Sequence, residues 1–260
     1  MSIVSNLRTD PKRELWFCWY STVAFYILYA VVFFLITRTQ PPGKPWLSPA
    51  QSVEWFHDRT WGLRVGFALI FVLGGWSATA IALISYSIRR MSVSRAYAYS
   101  YLVLYLISAV PGFMFICIAM TTGALRPERS AAQHQLLYDF GFLSFAGTMG
   151  VFLIGSLIWM AAILLDKNGV FPKWFGYLNL CNALTEVVTA GSWFFIRGTL
   201  AWNGAIVWWI DVVVWGFYTV VFIYLLRDVI IRDDFGTGPL PARSAGEPRR
   251  IYQLASVIDR

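Results

Sequence analysis

Six apolar blocks, each about 20 residues long and so long enough to cross a bilayer as a helix, set the limits on what this chain can become. They lie at about 16–36, 65–87, 99–122, 140–165, 177–197 and 205–226. With 58% apolar and only 13% charged residues, the chain is too greasy for a soluble domain. The expected fold is all-α, an integral membrane bundle of six transmembrane helices. Residues 1–15 form a basic leading segment and 16–226 the bundle. Residues 227–260, rich in Gly and Pro, form a tail that cannot bury enough apolar surface to fold alone. The first block is too long for the apolar core of a signal peptide and ends in LITRT, so it reads as an anchor.

Six spans put both termini on one side, and the basic residues choose which. Fourteen Lys and Arg fall on the terminal side, among them Arg89, Arg90, Lys167 and Lys173. Seven fall on the other: Arg38, Lys44, Arg59, Arg64, Arg126, Arg129 and Arg197. The excess places both termini in the cytoplasm of a plasma (inner) membrane. Anionic headgroups then account for the net charge of +7 without nucleic acid. Many aromatic residues sit at block ends, including Trp16, Trp19, Tyr20, Trp61, Tyr99, Tyr101, Trp174, Tyr177, Trp208 and Trp209, as headgroup-level belts do. Cys18, Cys117 and Cys181 are isolated within apolar blocks and read as small buried hydrophobes.

The two long outer connections carry most of the remaining polar chemistry. Ser48, Pro49 and Gln51 form a capping-box signal, so a short surface helix starts there. Pro127 marks the start of a second. Glu54 and His57, one helical turn apart, could approach a metal ion if His134, Asp58 or Asp139 completed the set. The chain has only two histidines and no HxxxH pattern, so the expectation is no metal and no cofactor. Pro111-Gly112 kinks the third block. Small residues in the second (Gly74, Gly75, Ser77) and fourth (Ala146, Gly150) suit close helix packing.

Glu186, at the centre of the fifth block, is the most informative residue. Asn179, Asn182, Glu186, Thr189 and Trp193 share one helical face, which must look at protein or water rather than lipid. An ionised acid there costs several kcal/mol, so Glu186 is either a neutral acid or solvated in a polar cavity. Asp211, in the sixth block, has a simpler option in a salt bridge to Arg197 or Arg64. Depths of about 15–20 Å for Glu186 and about 10 Å for Asp211 argue against a shared proton.

The second half, about 127–226, resembles a family of uncharacterised bacterial, largely actinobacterial, polytopic membrane proteins. The resemblance rests on Pro127-Glu128-Arg129, Leu136-Leu137 and Asp139, on Ile163-Leu164-Leu165-Asp166, and on Phe171-Pro172-Lys173-Trp174-Phe175-Gly176-Tyr177 with Asn179-Leu180. Ala201-Trp202-Asn203-Gly204 completes it. It implies a helical membrane fold and no particular activity, and Glu186 is not part of the pattern.

Three functions fit. The leading one is binding or transport of a small hydrophobic or amphipathic molecule, its polar end met by Asn179, Asn182, Glu186, Thr189, Trp193, Asp211 and Trp215. A scaffold subunit would use the same groups to fix packing against a membrane partner or a second copy of the chain. A membrane-embedded isomerase or cyclase acting on a lipid or terpenoid would use Glu186 or Asp211 as the acid. Membrane lipids are the common partner in all three.

Overall fold

The structure is a computed structural model that describes residues 11–109, 113–147 and 151–233. Among these residues there are ten α-helices and no strand. Three continuous helical runs are long and apolar enough to cross a membrane: Pro11–Ile36, Thr60–Arg89 and Ala205–Arg232. Large apolar side chains on them face outward, Val72, Phe217 and Val220 among them, as on a surface not solvated by water.

The first run is α1 (Pro11–Val31), extended by a π-helical turn over Val32–Ile36. A lid follows, laced by backbone carbonyls. Gly43 accepts from Trp202 Nε1 at 2.7 Å, Lys44 from the Tyr138 hydroxyl at 3.1 Å, and Leu47 from Gln135 Nε2 at 3.3 Å. Within it lies α2 (Pro49–His57), opened by Ser48 and Gln51 through the expected reciprocal cap. Burial, then the neighbouring Arg38, hold the Arg59 guanidinium below its ordinary range, while Asp58 and Tyr138 oppose them. The second run is α3 (Thr60–Trp76) and α4 (Ala78–Arg89), parted by one turn at Ser77, whose hydroxyl donates to the Gly74 carbonyl at 2.6 Å.

Next come α5 (Arg95–Ala109), α6 (Phe115–Leu125), α7 (Ala131–Ala146) and α8 (Val151–Leu165). The expected kink at Pro111-Gly112, and Gly150 of the small-residue face, lie outside the described residues. The expectation of a short surface helix from Pro127 is corrected. The helix starts at Ala131, capped by Ser130 and Gln133, and runs unbroken to Ala146. The Ser-x-x-Gln pattern is a stronger start signal than a proline three residues earlier, because it satisfies two free N–H groups at once.

A tight hairpin joins α8 to α9 (Lys173–Thr189) and explains much of the motif pattern in that stretch. Asp166 accepts four hydrogen bonds, from Ser92 N and Oγ, Asn168 N and Val170 N, at 2.8 to 3.1 Å. Lys173 Nζ caps the end of α8 through the carbonyls of Ile163, Leu164 and Asp166 at 2.6 to 2.7 Å. The fifth block is not one helix to Arg197: α9 stops at Thr189, a 3-10 turn follows over Ala190–Trp193, and the chain leaves helical structure. After a turn at 198–204 and a π-helical segment over Ala205–Ile210, α10 (Asp211–Arg232) completes the fold. It passes the expected boundary at 226 and is tied down by an Arg90–Asp233 ion pair and by Arg232 on Asp228 and on the Val170 carbonyl.

Helices α8 and α9 pack on each other, α5 on α8, α4 on α5, and α1 on both α4 and α10, while α3, α6 and α7 form a second group. Two apolar cores result. One is built around Trp159, Phe175, Tyr218 and Phe222, and the other around Phe33, Phe67, Met120 and Phe142. Of the aromatic residues read as belts, Trp61, Tyr177 and Trp209 are exposed, but Tyr101 and Trp208 are buried in these cores. Cys117 is buried as expected and Cys181 is exposed.

Candidate functional site

The polar stripe of α9 turns inward. Asn179, Asn182, Glu186 and Thr189 are each at most 3% exposed, because helical periodicity carries all four onto the face that packs on α8 and α10. Trp193 does not continue the stripe. The helix has already ended, and the indole is exposed and donates to the Gly147 carbonyl at 2.6 Å.

Where the two cores meet lies a cavity of about 110 Å³. Aromatic residues line most of it, from α1 (Phe25, Tyr26, Tyr29), α5 (Tyr101, Tyr105), α8 (Phe152, Trp159) and α10 (Trp215, Tyr218, Phe222). Asn182, Glu186 and Ser77 supply its polar wall, and among the described residues no Lys, Arg or His lines it. Asn182 Nδ2 donates to Ser156 Oγ at 3.3 Å, and the Tyr101 and Tyr105 rings stack with centroids 4.4 Å apart.

Three buried polar atoms on the residues lining this cavity have no hydrogen-bond partner among the described residues: Glu186 Oε2, Asn182 Oδ1 and Trp159 Nε1. Buried polar groups are paired in the great majority of cases, and leaving one unpaired costs about 1–3 kcal/mol. An unpaired donor and two unpaired oxygens around one small cavity therefore form an arrangement that can bind.

Of the residues the sequence singles out, Asn182, Glu186 and Trp215 line the cavity. Asn179 is one step behind it, accepting from the Tyr218 hydroxyl at 2.9 Å and so fixing a wall residue. Thr189 is spent on its own helix, donating to the Glu186 carbonyl at 2.6 Å. Asp211 is buried at the head of α10, with Oδ1 unpartnered, and makes no ion pair with Arg64 or Arg197, which are exposed. Glu186 lies closer to the end of its helix than the sequence implied, because α9 ends three residues after it.

The connections do not form the site. His134 is buried against the Phe56 ring with Nδ1 3.3 Å from the Ser130 carbonyl, whereas Glu54 and His57 are exposed. Among the described residues, no three His, Cys, Asp or Glu side chains gather as a metal site. Sequence reasoning missed Trp159, and the available signal was its position: an indole in the middle of an apolar block rather than at its end.

A second cavity of about 320 Å³ adjoins the first, sharing Ser77, Ile81 and Phe113 with it. Its other walls are apolar or glycine: Ile70, Phe71, Gly74, Gly75, Ala78, Leu106, Met114 and Cys117. Comparison with protein-family models, with curated proteins and with solved structures gives no match to this chain.

Proposed function

We propose that the chain is an integral membrane protein of six spans that binds the polar end of a small neutral amphiphile in the cavity beside Glu186. Three spans are the long apolar runs. The other three pair α5 with α6, pair α7 with α8, and use α9, whose 17 residues reach about 25 Å before the 3-10 turn extends it. The excess of Lys and Arg beside the hairpin and both termini favours a cytoplasmic location for that end.

The observation that carries the binding reading is the set of unpaired atoms on one aromatic cavity. Their chemistry narrows the ligand. Trp159 Nε1 can only donate, so the ligand must accept, and a quaternary ammonium cannot. With no basic residue in the wall, an anionic head has no counter-charge. A hydroxyl or amide both donates and accepts, and meets Trp159, Asn182 and Glu186 without a net charge.

The test is to extract the full chain with its surrounding lipid in copolymer nanodiscs and compare copurified molecules by mass spectrometry with the bulk membrane extract. Wild type retains a neutral amphiphile enriched over the bulk. Asn182→Leu or Glu186→Leu reduces it about tenfold, the effect of one lost hydrogen bond with its partner left buried. A wild-type profile equal to the bulk and to both variants, with a density map showing only water in the cavity, overturns the reading.

A further inference from the structure

We infer that the second cavity holds the single apolar chain of that amphiphile, and that the chain enters sideways from the membrane between α3 and the side chains of Leu106 and Met114. The inference rests on the head-group reading above and extends it to the rest of the molecule.

Size makes the first step. A cavity of about 110 Å³ takes a small head and little else. Any amphiphile seated there must continue elsewhere, and the adjoining chamber has about 320 Å³, within the range of small-molecule sites. The two share Ser77, Ile81 and Phe113 in their walls, so the chambers lie side by side.

Chemistry makes the second. The chamber's hydroxyl, Ser77 Oγ, already donates within its helix to the Gly74 carbonyl at 2.6 Å. Among the other described residues of its wall only the weakly polar Cys117 thiol is not hydrocarbon or glycine, so it suits a hydrocarbon chain and not a second head.

Geometry makes the third. A Cβ built on Gly74 or Gly75 meets nothing within 4 Å, so both glycines border open space instead of a neighbouring helix. Phe71, Leu106 and Met114, at the chamber's rim, are 55%, 48% and 36% exposed on the apolar outside of the bundle. An apolar chamber bordered by two glycines and rimmed by exposed apolar side chains therefore adjoins the polar cavity.

The probe is hexadecanol carrying a mid-chain diazirine, incorporated in nanodiscs with the full-length protein, irradiated, and mapped by peptide mass spectrometry. Wild type is labelled on peptides spanning 70–81 and 106–117, and excess unlabelled hexadecanol suppresses that labelling about tenfold. Gly75→Phe, whose added Cβ meets nothing within 4 Å, puts a ring into the chamber and abolishes it while leaving the thermal unfolding midpoint within a few degrees of wild type. Labelling lost in Gly75→Phe and retained in Glu186→Leu and Asn182→Leu upholds the chain site and sinks the head-group reading. Labelling lost in Asn182→Leu and unchanged in Gly75→Phe sinks the chain site alone. Adducts spread over all exposed apolar helices, insensitive to competitor, overturn both, and this arm needs no variant.

Discussion

The Asp166 carboxylate receives four hydrogen bonds and is 3% exposed, so most of the order at the α8–α9 hairpin passes through one side chain. Asp166→Ala leaves the buried N–H of Val170, and the N–H groups of Ser92 and Asn168, without this acceptor. The expected loss is about 3 kcal/mol, read as a lower midpoint in thermal or SDS-driven unfolding of the purified protein. Asp166→Asn keeps an acceptor oxygen and loses about half as much. If both variants unfold with the wild type, the network is incidental. Glu186 is the opposite kind of residue, since its Oε2 contributes no hydrogen bond to the fold. Its inward orientation was legible in the sequence because helical period fixes a face. The partners around it were not, because Tyr26, Tyr105, Trp159 and Trp215 come from four helices and only packing brings them together.

Among the elements, helices whose ends are chemically marked were legible and those ended by packing were not. The Ser48 cap is written in the sequence and α2 starts where it says. The end of α9 at Thr189 was marked only by Gly191 inside an apolar run, and the π-helical turns over Val32–Ile36 and Ala205–Ile210 use residue types that suit an α-helix equally well. Glycines distinguish close from open helix contacts. Gly62 lies at the start of α3 where the added Cβ would meet the Ile36 carbonyl oxygen, whereas Gly74 faces open space. Gly74→Ala therefore stabilises the helix by about 0.5–1 kcal/mol through its higher propensity. Gly62→Ala forces backbone apart and costs about 1–3 kcal/mol. Equal midpoints for the two variants in detergent would show that α3 does not approach the Val32–Ile36 turn as described.

For the whole molecule, the question is which ends of the helices share a side of the membrane. Block length and charge made a six-span bundle the expectation, and the three long runs bear out the coarser part of it. The six-span reading joins α5 to α6 and α7 to α8 and so assigns every connection a side. In that arrangement Ser94 and Lys167 lie with both termini, and Glu54 and Glu128 lie opposite. A version lacking Cys18, Cys117 and Cys181, with one cysteine placed at each of these positions in turn, reports the assignment through a membrane-impermeant maleimide on intact bacterial cells. Glu54→Cys and Glu128→Cys react with intact cells, while Ser94→Cys and Lys167→Cys react only after the membrane is opened. Reaction of Lys167→Cys together with Glu54→Cys on intact cells would leave an odd number of crossings between α2 and the α8–α9 hairpin untenable. It would reduce the bundle to fewer spans, and with them would go the orientation that puts a lipid-facing chamber beside Glu186.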